Sequence, residues 1–424
     1  MYLTEIHRVY KENSYFEMLD DFCYKAKNLY NNGLYHIRQY YLYYKALQDG
    51  KPIENFDIPD LLKDYMKDKG SYIDYYKLDY LSKKLENSLT EDYKSLPISS
   101  ASQWVLKQLN QNWQYFFKSL KVFSKKPDLY KGKPRIPSYL DKNGRYLLSL
   151  TNQNCKLKDG YLTFPKSFNG FTLKTKVDNV KQVRIVPINN FYQIEIIYEV
   201  KEKSQKLNND NYLSVDIGVT NLAAITNNFN GEQWLISGKP IKSVNQYYNK
   251  LKSYYQSKSK LLNDSNMTKR IQSLTVNRND YITTYMHKAS KMLVDLALSY
   301  DVSKIVIGNN KDWKQEVNLG RVNNQNFVSI PFSKFISYIT YKANLSGIEV
   351  ILTEETYTSG TSFLDNELPI KENYNKSRRI KRGLFKTKDG RYLNSDINGS
   401  YQILKKVIGN YSVVPRSLKV LQVI

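Results

Sequence analysis

Tyr212-Leu213-Ser214-Val215-Asp216-Ile217-Gly218-Val219-Thr220-Asn221-Leu222-Ala223-Ala224-Ile225-Thr226 is the stretch on which the fold turns. Its apolar first half reads as a strand that stops at Gly218, and Leu222–Thr226 reads as a second strand close enough for a hairpin. Gly218 permits a tight turn, so the Asp216 carboxylate can project from a sheet edge into a cleft. Taken alone, an Asp at a strand end is more often a turn former than a functional group.

Downstream, helical spacing covers 244–261 and 281–300, Lys304-Ile305-Val306-Ile307 is a short buried strand, a helix spans 332–346, and Ile348–Leu352 is another strand. A final helix begins near Asn398. A hairpin followed by alternating helix and strand is the order of an RNase H-like α/β sheet. Two further acidic positions fall at element ends. Glu354 and Glu355 follow the strand 348–352, and because neighbours on an extended segment face opposite ways, at most one can enter a given site. Asp396 stands at the start of the last helix, where a helix N-cap is the plain alternative to a functional role. Carboxylates that converge can hold two divalent ions roughly 3.5–4 Å apart for phosphodiester hydrolysis, and Mg²⁺ favours such hard oxygen ligands.

Upstream of the hairpin the character changes. Leu19, Phe22, Cys23, Ala26, Tyr30, Leu34, Ile37 and Tyr41 recur with helical spacing, predicting one long amphipathic helix over 14–45. A second helix is predicted over 101–123, with Leu106, Leu109, Trp113, Phe116, Phe117 and Leu120 on one face. Pro127, Pro134 and Pro137 mark a basic loop carrying Lys131, Lys133 and Arg135. That loop is either a plain connector or a phosphate contact. Residues 145–200 read as a small antiparallel β domain with a turn at Asn189-Asn190, to which the first residues of the chain could add a strand. Residues 201–211 read as a linker.

The 424 residues carry 64 Lys plus Arg against 40 Asp plus Glu, a formal charge of +24 spread along the whole chain. Such a field favours polyanionic partners. The 38 tyrosines could stack on bases, although an AT-rich genome also encodes a chain rich in Lys, Tyr, Asn and Ile. Two distant cysteines and three histidines exclude a disulfide framework and a cysteine-based zinc site. No apolar run approaches the ~20 residues of a membrane span, and the N-terminus lacks a signal pattern, so a cytoplasmic location without membrane partners is expected.

The segments Ser214–Ala223, Tyr357-Thr358-Ser359 and Asp396-Ile397-Asn398-Gly399 resemble the RuvC-type nuclease motifs of TnpB proteins, which IS200/IS605-type transposons encode and which are related to type V CRISPR effectors. Gly308–Gln315, Asn323–Phe327 and Arg379–Leu384 also look like that family. The likeness is dense in the C-terminal half and weaker upstream, where Asn28-Leu29-Tyr30-Asn31 and Ile37-Arg38-Gln39 fit the family's opening helix. It implies an RNA-guided, Mg²⁺-dependent DNA endonuclease using two ions. Its partners would be a transposon-derived guide RNA and double-stranded target DNA with a short adjacent motif. It further implies a β-barrel-like wedge domain at 1–12 and 126–205, a helical recognition lobe at 13–125, and a RuvC-like nuclease domain at 206–424 with an insertion at about 356–392.

Two departures stand out. The commonest pattern places a Glu after the strand that here reads Lys304–Ile307, and this chain has Gly308. The third carboxylate is therefore expected at Glu355 or Glu354, with Glu355 favoured and Asp312 a lesser substitute, joining Asp216 and Asp396 as metal ligands. The insertion also lacks the four cysteines of a zinc knuckle, so no zinc is expected. Its basic run, with Arg378, Arg379, Lys381 and Arg382, either faces nucleic acid or is a solvated surface. A guided DNA-binding repressor that no longer cuts and a compact type V CRISPR effector are the alternatives. The family assigns DNA joining to a separate enzyme, which disfavours a direct transposase role.

Overall fold

The computed structural model describes residues 1–60, 62–63, 72–202, 207–263, 266–309, 329–381 and 383–423. They form two units, Met1–Val200 and Lys201–Ile424. Among the described residues no helix is long and apolar enough to cross a membrane.

The first unit opens with strand β1 (Tyr2–Tyr10) and the long helix α1 (Phe16–Gln48), followed by α2 (Tyr75–Lys84), α3 (Ser88–Ser95) and α4 (Ser99–Lys125). Short strands β2 (Leu148–Thr151), β3 (Lys156–Lys158), β4 (Tyr161–Thr163) and β5 (Thr172–Lys174) precede a long hairpin of β6 (Val180–Ile188) and β7 (Phe191–Glu199). The chain's first residues do add a strand: β1 pairs antiparallel with β7 over its whole length, giving the order β1-β7-β6-β2. The stripe read on α1 is its buried face, with Leu19, Cys23, Ala26, Leu34 and Ile37 packed in one core with Val183, Ile185, Ile194 and Ile196 of the sheet. Cys23 is a core residue. The proline-marked loop runs along α1, where Asn31 donates to Leu140 O (3.0 Å) and accepts from Leu140 N–H (2.8 Å).

The second unit is built on a six-stranded sheet. Its strands are β8 (Tyr212–Asp216), β9 (Asn221–Asn227), β10 (Gln233–Ser237), β11 (Lys304–Gly308), β12 (Glu349–Thr353) and, beyond a small insertion sheet of β13 (Arg379–Lys381), β14 (Leu384–Lys386) and β15 (Tyr392–Asn394), the edge strand β16 (Leu418–Leu421). The order is β12-β11-β8-β9-β10-β16. β9 runs antiparallel to both β8 and β10, whereas β8, β11 and β12 are mutually parallel. The helices are α5 (Lys239–Asn263), α6 (Lys269–Ser299), α7 (Phe332–Leu345) and α8 (Ser395–Ile408). The architecture is mixed α/β with antiparallel sheets.

Strand alternation divides this sheet into two buried faces. Leu213, Val215, Ile225, Ile305 and Ile307 pack with Ile282, Leu293, Phe335 and Ile339 of α6 and α7. The opposite face carries Val306, with Ile403 and Leu404 of α8, and Ala224 and Leu235, with Ile397 and Tyr401. Burial on both faces explains why these strands are nearly continuous apolar runs. α8 begins at Ser395, three residues earlier than its apolar periodicity announces, because Asn394 caps it: the Asn394 side chain accepts from Asp396 N–H (2.9 Å) and Ile397 N–H (3.2 Å).

A candidate carboxylate site at the sheet edge

Because β8, β11 and β12 are parallel, their C-terminal ends share one edge of the sheet, the edge where open α/β sheets bind ligands. Asp216 is the last residue of β8 and lies on the same face as Ser214, toward α8. Three hydrogen bonds hold α8 down there. Ser214 Oγ donates to Ser400 O (2.7 Å), Ser400 Oγ donates to Ser214 O (3.0 Å), and Ser400 Oγ pairs with Thr226 Oγ1 (2.9 Å). One turn before Ser400, Asp396 is delivered to the same edge. Since Asn394 performs the capping, the Asp396 carboxylate is not used for it. Instead it accepts from Asn221 Nδ2 (2.8 Å) and stands 3.8 Å from the Arg379 guanidinium.

The two adjacent glutamates separate. Glu355 continues the alternation of Ile351 and Thr353 toward α8 and is partly buried. Glu354 is exposed and forms an ion pair with Lys406 at 3.1 Å. The turn beyond Glu355 is tight: Thr358 bonds the Glu355 carbonyl through both its hydroxyl (2.7 Å) and its N–H (3.2 Å), and Tyr357 adopts the left-handed region at φ 67°.

Two glycines make room for this gathering. A Cβ on Gly308 would lie 2.5 Å from Glu355 Oε1, 2.7 Å from Glu355 Cγ and 2.7 Å from Ile403 Cδ1. The missing side chain at the last residue of β11 is therefore the space that Glu355 fills. A Cβ on Gly399 would likewise collide with Asp216 Oδ2.

The electrostatics follow from this crowding. Burial, and then the negative charges of Glu355 and Asp396, push the Asp216 carboxyl well above the usual range, while Arg379 pulls the other way. Burial pushes Glu355 up to about 7 against the pull of Lys406. Like charges held at a desolvated edge are relieved by a proton or a cation. Among the described residues, no group of three or more His, Cys, Asp or Glu side chains is arranged closely enough to hold a metal ion.

The basic residues singled out in the sequence disperse. Lys131, Lys133 and Arg135 are exposed in the first unit, and Lys381 is exposed on β13. Arg378 is mostly buried and bonded in a fork to Glu367, with one arm at 2.9 Å, so its charge is engaged inside the insertion rather than presented to a phosphate. Arg379, its neighbour, turns to the carboxylate edge. Arg382, Asp312, most of the 308–315 segment and all of 323–327 lie outside the described residues. Sequence reasoning missed Asn221, the proximity of Arg379 to Asp396, and Lys406. Only Asn221 carried a signal, as part of the quoted hairpin motif.

Residues 195–314 match a family model, OrfB_IS605, described as "Probable transposase", and residues 332–403 match the "Cas12f1-like, TNB domain" model. The chain is TnpB-like. The second of these models also makes residues 332–403 similar to a domain of type V effectors. No curated protein matches the TnpB-like chain. Among solved structures, it is similar to one described as "Cryo-EM structure of the Cas12f1-sgRNA-target DNA complex", with 13% identity over 95% of this chain and 98% of that one and a TM-score of 0.35. It is also similar to one described as "Cryo-EM structure of CRISPR-Cas12f Ternary Complex", with 13% identity over 91% and 80% and a TM-score of 0.39.

Proposed function

We propose that the TnpB-like chain is an RNA-guided DNA endonuclease whose second unit is an RNase H-like, RuvC-type domain, with Asp216, Glu355 and Asp396 as the carboxylates that hold divalent metal. The observation that carries this reading is the crowding of Asp216 by two other carboxylates at the C-terminal edge of β8, β11 and β12. The sheet order supports it too: an antiparallel β8–β9–β10 meander is extended beside β8 by two parallel strands, as the RNase H arrangement requires.

Bound Mg²⁺ would supply Lewis acidity and an activated water for phosphodiester hydrolysis. The protein's own groups do the rest. Asp216 and Glu355 stand at strand ends on either side of β11, against Gly399 and Gly308 respectively, which fixes where two negative charges meet. Asn221 holds one oxygen of Asp396, leaving the other toward Arg379. Arg379 supplies a cation at the exposed side of the site, where a phosphate would arrive. Target sequence would be read by guide pairing, and the chain's positive charge would screen the phosphates of both strands. In this reading 1–12 and 126–205 form the wedge, 13–125 the recognition lobe, and 206–424 the nuclease domain with its insertion near 356–392.

The test is to purify the protein with its bound RNA, sequence that RNA, and assay matched double-stranded DNA with Mg²⁺. Asp216→Ala and Asp396→Ala abolish cutting and keep RNA binding. Wild-type protein that binds matched DNA tightly yet never cuts refutes the nuclease and leaves a guided repressor.

A further inference from the structure

We propose that Lys406 is a positioning residue that selects which of the two adjacent glutamates enters the carboxylate site, by holding Glu354 outside it. This rests on the nuclease reading above. β12 ends at Thr353, and among the described residues the last backbone bond tying this strand end to its neighbour is Asn309 N–H to Thr353 O at 2.8 Å. Beyond it both strands have ended, no backbone pair among the described residues ties either glutamate to β11, and both side chains are long enough to reach the same edge. A second element must discriminate between them.

α8 supplies it. Ile403 and Lys406 are three residues apart on this helix, so they share one of its faces. Ile403 is fully buried and closes the slot that Gly308 opens for Glu355. Lys406 projects from the next turn with its side chain only 13% exposed, and its ammonium meets Glu354, whose side chain is 70% exposed. An ion pair so exposed on one side contributes little to stability. Its consequence is geometric: with Glu354 tethered outward at the rim of β12, the adjacent Glu355 is turned the other way, inward beneath Gly308. Lys406 lies in the last turn of α8, where a cation is also favoured by the helix dipole. One helix thus carries a metal-binding carboxylate, the glycine that admits Asp216, the wall of the Glu355 slot and the tether for Glu354.

The experiment is single-turnover cleavage of matched DNA by the RNA-loaded protein. Lys406→Met keeps the stem and removes the charge, and it lowers the cleavage rate about tenfold through loss of carboxylate alignment. RNA binding and the melting temperature stay at the wild-type level. Lys406→Arg restores the rate to within about threefold, because a cation still reaches Glu354. The exchanged pair Glu354→Lys with Lys406→Glu recovers most of the activity that either single change removes. A fully active Lys406→Met protein overturns the tether, as does an Arg variant no better than Met. Asp396→Ala, run alongside, separates the two ideas: if it still cuts, the nuclease site itself is misassigned, whereas an inactive Asp396→Ala beside a fully active Lys406→Met leaves the site standing and removes only the tether.

Discussion

Gly308→Ala is the smallest change that tests the site's geometry. The added methyl would sit 2.5 Å from Glu355 Oε1 and 2.7 Å from both Glu355 Cγ and Ile403 Cδ1, against an ordinary contact of 3.4–4 Å. Relief to 3.4 Å requires 3.4 − 2.5 = 0.9 Å at the carboxylate and 3.4 − 2.7 = 0.7 Å at Ile403. Ile403 is fully buried between sheet and helix and has little room to retreat. Glu355 is only partly buried, has more room than Ile403, and is the group that yields. Overpacking of this kind costs about 1–3 kcal/mol of stability. A catalytic group displaced by about 1 Å loses roughly 10²-fold in rate. Gly308→Ala is therefore expected to cut about a hundredfold more slowly, with guide and target binding retained and a melting temperature lowered by a few degrees. Single-turnover cleavage and thermal melting of the RNA-loaded protein measure both. Wild-type cleavage by Gly308→Ala refutes the placement of Glu355 beneath this glycine.

Other expectations follow from the same geometry. Glu355→Gln abolishes cleavage whereas Glu354→Gln keeps it within about tenfold of wild type, since only the former removes a site carboxylate; equal activity of the two variants refutes the assignment. Asn394→Ala removes the acceptor for two N–H groups of α8, lowers stability by about 1 kcal/mol and slows cleavage by loosening Asp396, and Asn394→Asp restores both in denaturant titrations and cleavage assays. Burial raises Glu367, but hydrogen bonds from Arg378, Lys388 and Ser362 N–H outweigh it and draw the carboxyl down to about 2, from an ordinary value of 4.5. The unfolded chain then takes up this proton first, so the group's contribution to stability is complete above pH 4.5 and is lost as pH falls toward 2. Melting of Glu367→Gln protein is correspondingly lower at pH 7, and its fall between pH 4.5 and pH 2 is shallower than that of wild type.

The long elements were readable because their patterns are long. The α1 stripe, the hairpin opened by Tyr212 and the strands around Val306 and Val350 each repeat an apolar signal often enough to fix their type. β10 and β16 escaped, the first because Gln233–Ser237 is short, the second because its pairing partner lies almost two hundred residues away. Three-residue strands such as β3, β13 and β15 hold barely one alternation. At the site, Asp216 and the helix start at Asp396 were legible. That Asn394 and not Asp396 does the capping was not, because two residues of nearly equal capping strength stand two positions apart. Glu355 lies beside Gly308 and Glu354 pairs with Lys406, residues that no local pattern connects to them. The fates of Arg378 and Arg379 differ for the same reason, one drawn to Glu367 and the other to Asp396.

The role of α8 bears on the order of events during synthesis. The sheet of the first unit can close once β7 has been made and meets β1, while the second unit is still incomplete. Asp216 is then made, but Asp396 follows 396 − 216 = 180 residues later, about 9–36 s at roughly 5–20 residues per second. Throughout that interval the first unit is available to a partner and the carboxylate edge lacks its last member. On the proposed nuclease reading, the chain can therefore meet a polyanionic partner before it has an assembled site with which to damage one.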